Sequence, residues 1–417
     1  MASALDVAVV GGGIVGCAVL FELNRLGYNC ALLEKNDNLI SEASSGNSGM
    51  LHTGFDAPAD SLELHCIKRC VDRVFGVFNK LGVPYSQNGS VMVAWSPEQV
   101  SKLEGIQSDA LAKGVKDVFH LSLEDLYQKE PSLSRHAHGA LWIPEESILE
   151  PCIYGLLLAH HAKNNGAKIL TNCEVRGYEN VSGGQLSTLD TTRGPIKARV
   201  VINCAGLHGD HVQELAGISS FRIQPRKGQY TVFGQGARNL ITSSILPVPT
   251  EKTKGIIVFK TVHGNVIVGP TAEDVESRSS PPIDTATTRR LLEHGRTVVP
   301  ELDSWTPVGH YTGVRPATQY KDYQIRAYLD RNWITVGGIR STGVSGSLGI
   351  AEYVARLLCE DLKLEPTRGA TSDLQPSDWS LETNGTLSVD GTVYGVSHPI
   401  TLFGTQKGGG GGGTSRL

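Results

Sequence analysis

The chain has 417 residues, 40% hydrophobic and 19% charged, the proportions of a globular protein long enough for two cores of roughly 150 to 200 residues each. Its 38 basic and 42 acidic side chains leave a formal charge of -4, which gives no electrostatic reason to expect nucleic acid; a small anionic ligand would need a local cluster of arginine or lysine. No apolar run approaches the ~18 residues of a transmembrane segment, and the N-terminus lacks a basic-then-apolar leader.

Eight cysteines, at 17, 30, 66, 70, 152, 173, 204 and 359, form no CxxC pair, and several sit in apolar runs such as VINCAG. They read as buried free thiols of a reducing compartment. Cys66 and Cys70 are one helical turn apart, but no cysteine or histidine follows at zinc spacing, so no metal site is expected.

In chain order, LDVAVV at 5 to 10 reads as a strand, and GGGIVGCAVLFELNRLG turns it into a helix. Gly11, Gly13 and Gly16 fit G-x-G-x-x-G at that junction, and the next strand, NCALLEK, ends in Glu34, placed to accept hydrogen bonds from a ribose hydroxyl pair. Gly11 permits the turn, Gly13 lets backbone approach a pyrophosphate at the helix N-terminus, and Gly16 allows close helix packing. FAD and NAD share this fingerprint. Three later segments resemble those of glutathione-reductase-type FAD folds and so imply FAD: AKILTNCEVRGYE at 167 to 179, whose Glu174 and Val175 the resemblance sets beside the adenine; VVINCAGLHGD at 200 to 210, a strand running into a glycine turn; and NWITVGGIRSTGVSGSLGIAEYVARLL at 332 to 358, a second strand, glycine turn and helix. Between them, residues 220 to 275 read as short β-rich runs and 284 to 299 as a helix ending before Pro300. Residues 367 to 417 are polar and read as an appendage with little core.

The stretches GGGIVG, NSGMLHTGF, RKGQY, TVHGNVIVGPTAED, GVRPAT and GIRSTG resemble the D-amino-acid-oxidase superfamily of FAD oxidoreductases. The likeness is greatest to its branch of FAD-dependent glycerol-3-phosphate oxidases and dehydrogenases and L-2-hydroxyglutarate dehydrogenases. The resemblance implies a mixed α/β and α+β fold: a glutathione-reductase-type, Rossmann-like FAD-binding domain from 1 to 85, 150 to 218 and 308 to 366, and an antiparallel-sheet substrate domain from 86 to 149 and 219 to 307. It implies noncovalent FAD, since no cysteine falls in an attachment motif. Cofactor contacts are expected from Gly11, Gly13, Ile14, Val15, Gly16, Glu34 and Lys35 at the fingerprint, and from Ser44, Ser45, Asn47, Gly49 and Leu51 in the following loop. Val175, Ala205 and Gly206 in mid-chain, with Gly338, Thr342, Gly343, Val344 and Ser345 near the end, complete the set.

Oxidising a carbon that bears a hydroxyl needs a hydride acceptor and a base for the hydroxyl proton. The resemblance places His52, the histidine of NSG-x-x-H-x-G, beside the isoalloxazine ring, and histidine, with an ordinary pKa of about 6.5, is a residue type suited to such a base. Gly46, Gly49 and Gly54 let backbone pass close to the cofactor, Ser44 and Ser45 can bond its pyrophosphate, and Ser48 is a candidate to position substrate or flavin. Arg315 in GVRP and Arg340 in GIRSTG offer forks for an anionic group, and Lys260 is a candidate third cation. His136, His138, His160 and His161 receive no role.

Arg340 leans the reading toward sn-glycerol 3-phosphate, with dihydroxyacetone phosphate as product and oxygen as acceptor giving peroxide. An L-2-hydroxy acid such as 2-hydroxyglutarate, an amine as for sarcosine or glycine oxidases, and a flavoprotein without turnover are the alternatives. The closing Ser415, Arg416 and Leu417, behind GGGGGG at 408 to 413, form a variant of a peroxisomal import address, implying a microbody and its import receptor, and otherwise the cytoplasm.

Overall fold

The computed structural model describes residues 4–405 except 181–185, 250–254, 280, 372 and 383; the tripeptide 415–417 and the whole glycine run 408–413 before it lie outside the described residues. Two large sheets dominate. In the first, strand β1 (Leu5–Val10) lies parallel between β2 (Cys30–Leu33) and the strand Ile196–Asn203. Lys168–Leu170 extends it beyond β2, and Trp333–Gly337 pairs with the far end of Ile196–Asn203, also in parallel. A hairpin, Val175–Asn180 with Ser187–Thr191, and the strand Gln324–Tyr328 add antiparallel edges. The fully buried β1 and β2 read as near-continuous apolar runs because parallel strands are covered on both faces. One cover is a layer of four helices: α1 (Ile14–Arg25), Leu62–Leu81, Pro151–Asn164 and Gly343–Arg356.

Among the described residues the second sheet has nine strands, nearly all antiparallel, with Ser90–Ala94 and Ser244–Pro247 as a parallel pair at its centre. Its long ribbon pairs Ile223–Phe233 with Pro307–Thr318 from Ile223↔Thr318 through Tyr230↔Tyr311, where the two rings stack at 4.3 Å. The strand Pro307–Thr318 was expected in the cofactor domain from residue 308; its ladder places it in the second sheet instead. The two sheets meet where the 3₁₀ turn Glu42–Gly46 rests on this strand. A Cβ on Gly46 would overlap the Gly313 Cα, and one on Gly313 would overlap the Gly46 carbonyl.

The polar C-terminal stretch contributes to the core, contrary to expectation. Trp379–Leu381, Thr386–Val389 and Thr392–Gly395 form a small antiparallel sheet whose Leu387 and Val389 are fully buried against the first core. His160 and His161 are buried beneath it, and His160 Nε2 meets the Asp390 carboxylate at 3.0 Å. Seven cysteines are buried, and Cys359 is exposed. Among the described residues no helix is long and apolar enough to cross a membrane.

The last described helix, Pro399–Thr405, docks through a buried polar cluster. Glu150, fully buried, accepts the Ile153 N–H at 2.8 Å and the Thr401 hydroxyl, with His263 Nε2 at 3.6 Å. Burial alone would raise the Glu150 pKa, but His263, His398 and Thr401 hold it below the ordinary carboxylate range. Beside it the His398 Nδ1 accepts the Ile400 N–H at 3.2 Å, and burial pushes its pKa down to about 4 against the attraction of Glu150.

Two stability outcomes follow. An unfolded histidine takes up a proton near its ordinary pKa while folded His398 resists until about pH 4. Stability therefore falls as pH drops between those values, by up to about 3 kcal/mol. Thermal melting from pH 7 to 5 should show this decline, and His398→Gln should flatten it. Gly313→Ala should cost about 1–3 kcal/mol through overpacking, read as a lowered melting temperature with Gly369→Ala, which meets nothing within 4 Å of its Cβ and has no left-handed backbone, as the control of glycine loss.

Candidate active site

A cavity of about 700 Å³ opens at the carboxyl ends of the parallel strands and continues to the second sheet. At its nucleotide end Gly11 takes φ +108°, where a side chain would be strained and its Cβ would meet the Cys204 carbonyl. Gly11, Gly13, Ile14 and Val15 line the cavity, whereas Gly16 lies behind it, packed on the Gly11 carbonyl. Helix α1 has no side-chain cap at Gly13, and its Ile14 N–H is met by Ser44 Oγ at 3.0 Å. Glu34, buried at the end of β2, accepts the Gly12 N–H at 2.7 Å and the Asn36 N–H at 2.8 Å. Burial raises its pKa against those two bonds. Each carboxylate oxygen keeps a second lone pair for a hydroxyl.

The loop after β2 folds over this end. Lys35 pairs with Glu42 at 2.9 Å, and both line the cavity with Ser44, Asn47 and Ser48. Asn47 ties the turn, donating to the Ser44 carbonyl and accepting the Gly49 N–H, each at 2.7 Å. Ser45 corrects an expectation: it is outside the lining and donates to the Glu42 carbonyl at 2.9 Å. Val175, Ala205, Gly206, Gly343 and Val344 line the walls. Gly49, Leu51, Gly338, Thr342 and Ser345 do not, although Gly49 is bonded to Asn47 and Ser345 to His52, which do. Thr342 Oγ1 donates to Glu63 at 2.7 Å, and Ser345 Oγ accepts the His52 N–H at 2.8 Å.

His52 lies where one strand ladder continues past its last pair. Met50–Leu51 runs antiparallel to Ser147–Leu149 with Met50↔Ile148 and Leu51↔Ser147, so the next rung sets His52 opposite Glu146. Glu146 is fully buried; its Oε2 meets His52 Nδ1 at 2.8 Å and its Oε1 accepts the Thr53 N–H at 2.7 Å. The sequence reading missed Glu146. Its only trace is the acidic pair in IPEESIL, and its partner is 94 residues away.

Arg315 and Arg340 both reach the cavity wall. Arg315 sends Nη1 and Nη2 to the Thr271 carbonyl at 3.3 and 3.4 Å. It also flanks Tyr230, another lining residue absent from the sequence reading, whose phenol burial pushes above its ordinary pKa against the pull of the guanidinium. Arg340 is anchored by Nη1 on the Lys321 carbonyl at 3.1 Å. Lys260 does not join them: it stands outside the lining, with Nζ on the Ile241 carbonyl at 3.1 Å, because the end of its strand turns toward Glu130.

The residues present fit a dinucleotide. A backbone cradle lined by Gly11 and Gly13, the N-termini of α1 and Gly343–Arg356, and the Glu34 carboxylate offer what a pyrophosphate and a ribose require. Farther along the same cavity stand a carboxylate-backed imidazole and two guanidinium groups, a base and forks for an anion. Among the described residues no cluster could hold a metal ion.

Known proteins resemble this chain in sequence and in fold. A glycerol 3-phosphate dehydrogenase of Caloramator mitchellensis is 29% identical over 354 residues, covering 85% of this chain and 73% of that protein. A glycerol 3-phosphate oxidase of Mycoplasma pneumoniae is 30% identical over 375 residues, covering 87% and 96%. A solved structure of the dithionite-reduced L-alpha-glycerophosphate oxidase from Mycoplasma pneumoniae with FAD bound superposes with a TM-score of 0.81 at 28% identity, covering 91% of this chain and all of that one. Residues 6–357 match the family described as FAD dependent oxidoreductase, and the chain belongs to that family.

Proposed function

We propose that this FAD-dependent oxidoreductase converts sn-glycerol 3-phosphate to dihydroxyacetone phosphate. The observation that carries the reading is the meeting, in one cavity, of a carboxylate-backed histidine, two arginines and a dinucleotide cradle. The names of the Caloramator and Mycoplasma relatives support the substrate. Bound FAD supplies a two-electron acceptor for the hydride leaving the carbinol carbon. The chain supplies the rest. His52 takes the hydroxyl proton while Arg315 and Arg340 hold the phosphate, which fixes the carbinol hydrogen toward the cofactor. Glu34 would hold the ribose, Ser44 and the start of α1 the pyrophosphate, and Val175 one side of the adenine. Oxygen is the acceptor in this reading, supported by the oxidase name of the Mycoplasma relative. Delivery to a microbody rests on Ser415, Arg416 and Leu417 alone.

The test is anaerobic absorbance of the yellow protein mixed in turn with glycerol 3-phosphate, L-2-hydroxyglutarate and sarcosine, followed by air. Bleaching by glycerol 3-phosphate alone, then recolouring with one peroxide per substrate, is the expected result; bleaching by another compound instead overturns the substrate. His52→Ala should keep its FAD and slow this bleaching about 10²- to 10⁴-fold. Arg340→Gln should raise the glycerol 3-phosphate concentration needed for half-maximal bleaching rate about 10- to 100-fold, the loss of one charged hydrogen bond to an anion. Bleaching by an uncharged alcohol such as glycerol should change far less.

A further inference from the structure

A neutral imidazole carries its proton on Nδ1 or on Nε2, and only the bare nitrogen acts as a base. In His52 the choice is made by what surrounds Nδ1. Glu146 Oε2 lies 2.8 Å from it, and Oε1 is committed to the Thr53 N–H at 2.7 Å and the Thr53 hydroxyl at 3.2 Å. Thr53 thus meets one oxygen and His52 the other. An ionised carboxylate only accepts, so the contact at Nδ1 requires the proton to sit there. Nε2, on the opposite edge of a ring that lines the cavity, then holds the lone pair. The main chain is held as firmly: the His52 N–H is bound to Ser345 Oγ, on a helix buried in the first core.

We propose that Glu146 is the positioning residue of this site: it fixes the Nδ1–H tautomer of His52 and makes Nε2 the base. Glu146 is fully buried and acts through the imidazole, without touching substrate. The proposal rests on reading His52 as the proton acceptor. As the proton arrives at Nε2, the imidazolium gains the facing carboxylate as a counter-charge, so Glu146 also favours the protonated product of that step.

Glu146→Gln separates this role from a structural one. The amide oxygen can keep the Thr53 N–H, which turns the amide NH₂ toward His52 Nδ1; Nδ1 must then accept, and the imidazole proton moves to Nε2. The variant should stay yellow and folded, bind glycerol 3-phosphate within about threefold of the parent, and reduce its flavin about 10²- to 10⁴-fold more slowly. Glu146→Asp, which keeps the charge, should recover part of the rate. The direct readout is nitrogen-15 NMR of the histidine rings at alkaline pH, with the His52 signals identified by their loss in His52→Gln. The parent should show a protonated Nδ1 and a bare Nε2, and Glu146→Gln the reverse. A parent His52 protonated on Nε2 overturns the proposal, and so does parental flavin reduction by Glu146→Gln when His52→Ala is slow. If His52→Ala is itself fast, the reading of His52 as base fails, while the ring spectrum still decides what Glu146 fixes. Should Glu146→Gln lose its flavin, the parent spectrum alone decides.

Discussion

The backbone contact between Gly46 and Gly313 is the constraint on which the arrangement of this protein turns. Gly46 closes the loop that follows the nucleotide fingerprint, and Gly313 lies two residues before Arg315 on the long ribbon of the second sheet. Because neither residue carries a side chain, the two main chains touch, and one continuous cavity runs from Glu34 to Arg315. A methyl group at either position would wedge the sheets apart, since interiors packed to crystal-like density have no slack for it. The Glu34 end and the Arg315 end are therefore one space by virtue of two missing side chains.

Elsewhere in the fold, buried glutamates act as clamps. Glu34 holds Gly12 and Asn36, Glu130 holds Thr242 and Ser243, Glu146 holds Thr53 and His52, and Glu150 holds Ile153 and Thr401. Each takes at least one backbone N–H, from a loop or, at Glu150, from the first turn of a helix, which is the condition for burying a carboxylate at all. Their electrostatics differ with their partners. Burial dominates at Glu34 and Glu130 and raises both pKa values, whereas at Glu150 the histidines and Thr401 outweigh burial. Glu146 alone among them clamps a side chain that lines the cavity.

Features carried by local pattern were legible in the sequence. The glycine turn between β1 and α1, Glu34 at the end of β2 and the histidine after NSG depend on spacing within a few tens of residues, and Arg315 and Arg340 stand inside short motifs that face the cavity. What escaped was pairing at long range. Glu146 meets His52 through a strand ladder that no local period announces, and Tyr230 meets Arg315 on the facing strand of an antiparallel ribbon, away from its own register partner Tyr311. Lys260 shows the converse: a cation at a strand end looks available in sequence, yet the strand directs it to a carbonyl beside Glu130. The C-terminal stretch misled because strands of three or four residues bury only alternate side chains, so Leu387 and Val389 are hidden among polar neighbours.

The central claim is that one substrate spans the two arginines and His52. A crystal structure of the FAD-loaded protein with glycerol 3-phosphate, soaked after the flavin has been chemically reduced so that no turnover occurs, tests it most directly. The expected density places the phosphate within hydrogen-bond distance of Arg315 and Arg340 and the carbinol hydroxyl on His52 Nε2, with Glu146 still on Nδ1. A phosphate bound elsewhere, or a carbinol group facing away from His52, would contradict it.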